Sequence, residues 1–147
     1  DTWGGLLSTP DYLGFSLRTM KRITQGLIKS SNGCPVPLVI YTKSGGQWLE
    51  QMADTGCDAV GIDWTTSVAD ARHRVSDRVA IQGNMDPAIL FSQPERIRAQ
   101  VKKILSAFDG APGHVFNLGH GIDKDTSPDA VSTLIKAVHE FPSKEQI

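Results

Sequence analysis

Residues 79–118 read VAIQGNMDPAILFSQPERIRAQVKKILSAFDGAPGHVFNL. The stretch opens on Val79-Ala80-Ile81-Gln82-Gly83, a short apolar run with the length and composition of a strand. Ser92 and Glu95 have the spacing of a capping box. Ile97, Val101, Ile104, Leu105 and Phe108 then fall at spacings of four, three, one and three, the period of one helix face. A second short run, Val115-Phe116-Asn117-Leu118, comes next. Strand, helix and strand in this order make a β-α-β unit, whose strands are parallel and whose crossover is right-handed. The fold class is therefore α/β.

The same reading extends in both directions. Toward the C-terminus, Ser127-Pro128 starts a helix carrying Val131, Leu134, Ile135 and Val138, and Pro142 closes it. Toward the N-terminus, a helix over Ser67 to Val75 comes after a strand at Ala59 to Asp63. Gly45-Gly46 opens a helix with Trp48, Leu49, Met52 and Ala53, ended by Gly56. Val36 to Thr42 reads as a strand buried on both faces. The first helix runs from about Pro10 to Lys29, with Thr9 as N-cap and Leu13, Leu17, Met20, Leu27 and Ile28 on its apolar face. Before it, Asp1-Thr2-Trp3-Gly4-Gly5 reads as the end of a strand running into a loop, so the chain is expected to begin inside a larger fold.

Two architectures accommodate this alternation: an open doubly wound sheet and a (β/α)8 barrel. The strand ends read Asp1-Thr2, Thr42-Lys43, Asp63-Trp64, Gly83-Asn84 and Gly119-His120, with a polar group at each. Barrel enzymes gather polar residues at that end of their strands. No GxGxxG comes after a strand, so a dinucleotide fold gains no support. The barrel is favoured, and since a complete one takes about 250 residues, the 147 residues here supply about half of it.

Composition narrows the function classes. A hydrophobic share of 39% with 14 glycines belongs to a folded globular chain. Lys and Arg number 15 against 16 Asp and Glu, which lacks the basic excess of a nucleic-acid binder. No apolar run is long enough to span a bilayer, and no basic-then-apolar leader opens the chain, so neither membrane insertion nor a signal peptide is expected. Cys34 and Cys57 form no CxxC, which reads as a reduced, cytosolic-type protein.

Several residues invite chemistry. His120, between Gly119 and Gly121, has an uncrowded imidazole and is either a structural loop histidine or a site residue. Asp1 and Thr2 are either a turn pair or a carboxylate and hydroxyl facing a barrel mouth. Gln82-Gly83-Asn84-Met85-Asp86-Pro87 is a dense polar turn in which Asp86 either caps the next turn of chain or positions a partner side chain. Lys43-Ser44-Gly45-Gly46 precedes a helix start and is either an anion site built on free N–H groups, without P-loop spacing, or a turn with a solvated lysine. His73, His114 and His139 have no metal-ligand spacing and read as structural or exposed. GxSxG, HExxH, HxC and CxxC are all lacking.

Five segments in order carry a resemblance: Asp1-Thr2-Trp3-Gly4-Gly5, Gly46-Gln47-Trp48-Leu49-Glu50, Gly61-Ile62-Asp63-Trp64-Thr65, Gln82-Gly83-Asn84-Met85-Asp86-Pro87 and Asn117-Leu118-Gly119-His120-Gly121. Together they resemble the C-terminal part of the uroporphyrinogen decarboxylases, over essentially the whole chain. The resemblance implies the C-terminal half of a (β/α)8 barrel, as one partial domain over residues 1–147. It implies a homodimer that converts the four acetate arms of uroporphyrinogen III to methyls, giving coproporphyrinogen III for heme, with neither metal nor organic cofactor. A cytoplasmic location is expected, or a plastid in a plant or alga. By the same resemblance Thr2 and His120 match substrate-binding positions, with Asp1, Asp63 and Gln82 as a second tier. The family's central aspartate, arginines and tyrosine belong to the other half, so this segment alone is expected to be inactive and to expose two strand edges.

Two other readings stand beside this one. A zinc-dependent methyltransferase on the same superfamily barrel would use histidine and cysteine, which here are not paired in sequence. A non-catalytic half-barrel that dimerises or binds a partner would cover the apolar barrel lining, expected at Val39, Ile62, Ile81 and Phe116.

Overall fold

The computed structural model describes residues 1–108 and 110–142. Its main sheet has four strands, β3 (Val39–Tyr41), β4 (Ala59–Gly61), β5 (Ala80–Met85) and β6 (His114–Leu118), in that spatial order. Every neighbouring pair is parallel. A two-residue antiparallel ladder, β1 (Ser30–Ser31) with β2 (Cys34–Pro35), precedes it. Helices α3 (Leu49–Ala53), α4 (Val68–Val75) and α5 (Pro94–Phe108) form the crossovers, and α6 (Pro128–His139) packs against α5.

Register decides which residues build the core. Ile40, Val60 and Ile81 are aligned across three strands and all are buried. They meet Leu49, Met52, Ala71, Ile97 and Val101 from the helices in one apolar cluster. At fixed period two the neighbouring residues face the other way, and there Val39 is 40% and Val115 49% exposed. The expected barrel lining is corrected accordingly: Ile62 and Ile81 are buried within this chain, Phe116 packs against the same cluster, and only Val39 of the four is exposed. Val39–Tyr41 is likewise buried on one face only.

The first helical segment runs from α1 (Thr9–Asp11) through a π-helical stretch, Tyr12–Leu17, into α2 (Arg18–Gly26). Its N-cap is Ser8, whose hydroxyl accepts from the Asp11 N–H, rather than Thr9. It ends at Gly26, which leaves Leu27 and Ile28 outside it and exposed. Tyr12 stacks on Trp48 at 3.8 Å, and its hydroxyl bonds Thr42 Oγ1 at 2.9 Å, fixing this segment to the end of β3. Asp1 lies beside the same strand end: its backbone bonds to the Tyr41 carbonyl at 2.6 Å and accepts from Lys43 N at 3.0 Å, the alternation of a parallel ladder.

α4 and α6 start where the sequence places them, and there Ser67 and Ser127 act as N-caps, accepting from Asp70 N and Asp129 N. α5 begins at Pro94, so Gln93 rather than Ser92 precedes its first residue. Arg74 on α4 holds Glu50 on α3 through two bonds of 2.6 Å and the Gly46 carbonyl through a third of 2.8 Å. That pairing holds the Glu50 carboxyl down at about 2, with the Arg74 hydrogen bonds as the main cause.

Candidate functional site

The exposed face of the sheet ends in a cleft of about 560 Å³. Tyr41 at the end of β3, Gln82 midway along β5, Asn117 near the end of β6 and His120 just beyond β6 line it. Tyr41, Gly61 and Gln82 are in register across three strands and so share that face. A Cβ on Gly61 would stand 3.0 Å from Tyr41 Cδ2, so the missing side chain is what admits the phenol ring. The Tyr41 hydroxyl donates to the Gly119 carbonyl at 2.8 Å. Its ring lies 6.0 Å from the His120 ring. Burial, and after it the negative charge of Asp63, pushes the Tyr41 phenol up to about 12. The hydroxyl is thus neutral and a donor at ordinary pH.

Two glycines allow the backbone to close around this cleft. Gly83 has φ +141°, and a Cβ there would meet the Ile62 carbonyl oxygen at 2.5 Å. Gly119 donates to Met85 O at 2.7 Å, and a Cβ on it would lie 2.8 Å from Trp64 N. The Gly83 carbonyl accepts from His114 Nε2 at 2.8 Å, while that imidazole stacks on Phe108 at 4.2 Å. Burial lowers the His114 pKa, consistent with a neutral structural ring.

Asp63 is 2% exposed and fully engaged. One carboxylate oxygen accepts from Thr65 N at 3.0 Å and Thr65 Oγ1 at 2.5 Å; the other accepts from Ser44 N. This corrects the reading of Lys43-Ser44-Gly45-Gly46 as a free anion site, because the protein's own carboxylate holds the Ser44 N–H and Gly45 N donates to Thr42 O. Asn84 Nδ2 binds the Asp63 and Thr66 carbonyls at 2.8 and 2.6 Å, locking the loop that Asp63 organises. Asp1 is also occupied: its side chain accepts from Trp3 N, Gly4 N and Ser16 Oγ. Asp86 caps the short helical turn at Pro87–Phe91, accepting from Ala88 N at 2.9 Å.

The structure therefore brings Gln82 and His120 to one cleft. Thr2, Asp1 and Asp63 lie outside its lining, and Thr2 is exposed. Tyr41 and Asn117 join the cleft without having been singled out from sequence. Tyr41 sits next to the polar strand end Thr42-Lys43, but its reach to Gly119 depends on Gly61 and on strand order, which local sequence does not carry. A second cavity, of about 490 Å³, lies beside Trp64, Asn84 and Lys103 and contains neither Gln82 nor His120. The strand-end cleft is the stronger site because barrel chemistry sits at that end. Among the described residues, no three His, Cys, Asp or Glu side chains gather as a metal site. Cys34 is exposed on β2 and Cys57 is buried, its thiol 3.6 Å from Met52 O. No helix among the described residues is long and apolar enough to cross a membrane.

Parallel strands, helical crossovers on one face and a polar cleft at the strand ends define a half-barrel of the β/α class. The solved structure of a methyltransferase from Methanosarcina mazei has this fold, with a TM-score of 0.77 at 22% identity over 96% of this chain and 40% of its own. The sequence sharpens the class. Residues 1–141 match the family model for uroporphyrinogen decarboxylase (URO-D). The uroporphyrinogen decarboxylase of Chromohalobacter salexigens is 58% identical over 141 residues, covering 96% of this chain and 40% of the relative. That of Alcanivorax borkumensis is 55% identical over 144 residues, covering 98% and 41%. The chain belongs to the uroporphyrinogen decarboxylase family, and it spans about 40% of the length of these curated relatives.

Proposed function

We propose that the full protein carrying this segment removes the four acetate carboxyls of uroporphyrinogen III, giving coproporphyrinogen III in heme synthesis. The segment is one part of a single barrel domain. What supports the reading is that Gln82 and His120 both line one cleft in a chain of this family. The substrate is a polycarboxylate. Losing CO2 from an acetate on a pyrrole needs the ring to accept electrons, so the ring is protonated next to that arm. His120 donates a hydrogen bond to a substrate carboxylate in the cleft, where Gln82 adds an amide, and the Thr2 hydroxyl, outside that lining, donates to another carboxylate arm. Asp1 and Asp63 hold the loops at the strand ends, since their carboxylates are already bonded. The carboxylate facing the pyrrole N–H groups and the arginines that pair with the substrate arms come from the rest of the barrel. The reaction uses neither metal nor organic cofactor, the working protein is a cytoplasmic homodimer, and neither nucleic acid nor membrane is a partner.

Decarboxylation of uroporphyrinogen III tests this, using the full protein, the segment alone, and the segment mixed with the complementary part of a relative. Activity is expected from the full protein and not from the segment alone. Inactivity of the full protein would overturn the function. Activity of the segment alone would overturn the assignment of the essential carboxylate and arginines to the remainder.

A further inference from the structure

We infer that Tyr41 is a positioning residue for His120: its phenol, crossing the surface of β4 at Gly61, holds the Gly119 carbonyl and so sets where the neighbouring imidazole presents itself in the cleft. The inference rests on the reading that His120 binds substrate. Three observations meet in it. The hydroxyl reaches Gly119 O at 2.8 Å across 78 positions of sequence, joining the first main-sheet strand to the loop after the last. Gly61 is the in-register neighbour of Tyr41, and any side chain there would press on the ring. Gly119 is pinned from its other side by its N–H bond to Met85 O, so the phenol supplies a second, independent restraint on the same residue.

The chemistry suits an anionic ligand. A phenol that stays neutral adds no negative charge beside substrate carboxylates, and its single proton is committed to the backbone. Tyr41 thus lines the cleft with an uncharged aromatic surface while fixing the one histidine among the residues that line it. Replacing it by phenylalanine keeps the ring over Gly61 and removes only the hydrogen bond.

The experiment compares the full protein with Tyr41→Phe, His120→Gln and the double variant. A single net hydrogen bond corresponds to about a three- to tenfold effect. Tyr41→Phe is expected to raise KM for uroporphyrinogen III by about that factor, with kcat changed less and the melting temperature nearly unchanged. In the His120→Gln background the same substitution is expected to have much less effect, as coupled residues show. The His120 ring signals in a ¹H–¹³C spectrum of ligand-free protein are expected to move on Tyr41→Phe, with those of His73 and His139 unmoved. Unchanged His120 signals would overturn the proposal, as would equal effects of Tyr41→Phe in both backgrounds. If the wild-type protein turns over no uroporphyrinogen, the functional reading fails. The ligand-free spectrum still decides whether Tyr41 positions His120.

Discussion

The two faces of the four-stranded sheet obey opposite rules although their residues alternate along the same strands. On the helix side, Ile40, Val60 and Ile81 form a line of fully packed aliphatic groups. One residue further along each strand, Tyr41, Gly61 and Gln82 form a line with an aromatic ring, a gap and an amide, open to the cleft. The first line is chosen for volume, because a core packs close to crystal density and any lost methylene is felt. The second is chosen for shape and hydrogen bonding. A one-position shift in register would exchange the two sets, which is why the strand pattern specifies the site as strongly as it specifies the core.

Substitutions on the two faces should separate stability from binding. Ile81→Ala removes a fully buried side chain and is expected to cost about 2–5 kcal/mol, measured by denaturant unfolding of the full protein. Gln82→Ala, one residue away and half-buried, is expected to cost under about 1 kcal/mol, and to show itself instead as weaker substrate binding. Equal stability losses at the two positions would mean that the faces are not divided as described.

A smaller effect sharpens the contrast from outside the sheet. The bridge of Arg74 to Glu50 ties α4 to α3 on the helix side, and neither residue lines the cleft. Because the folded Glu50 carboxyl sits at about 2 against an ordinary 4.5, its contribution is present above pH 4.5 and is lost as pH falls toward 2. The Glu50 side chain is 41% exposed, so solvent screening holds the contribution to about 1 kcal/mol or less. Glu50→Gln should therefore lower stability slightly at pH 7, with the difference from wild type shrinking between pH 4.5 and 2. Thermal melts across that range check it, and uroporphyrinogen KM at neutral pH should stay unchanged.

Most of the architecture was legible because it is written locally. The helix period from Ile97 to Phe108, the starts of α4 and α6 at Ser67 and Ser127 and the short apolar strands all act through near neighbours. The π-helical stretch at Tyr12–Leu17 was not, since a widened turn there accompanies the Tyr12 contacts with Trp48 and Thr42, at least thirty positions away, whereas the cap at Ser8 instead of Thr9 is a one-residue difference in a local boundary. The site was legible in part. His120 stands out by its flanking glycines and Gln82 by its polar turn, and both line the cleft. The commitments of Asp63 to Ser44 and Thr65, and of Tyr41 to Gly119, are tertiary facts. They depend on which strands are neighbours and on an absent side chain at Gly61, neither of which a local pattern encodes.

The most direct test tracks the histidine side chains of the full protein by ¹H–¹³C spectroscopy as uroporphyrinogen III is added. His120 opens on the cleft, whereas His73 and His139 lie on α4 and α6. The His120 signals are predicted to shift with saturation while those of His73 and His139 hold still. A saturable shift at His73 or His139, with His120 unmoved, would contradict the placement of substrate on the exposed face of the sheet.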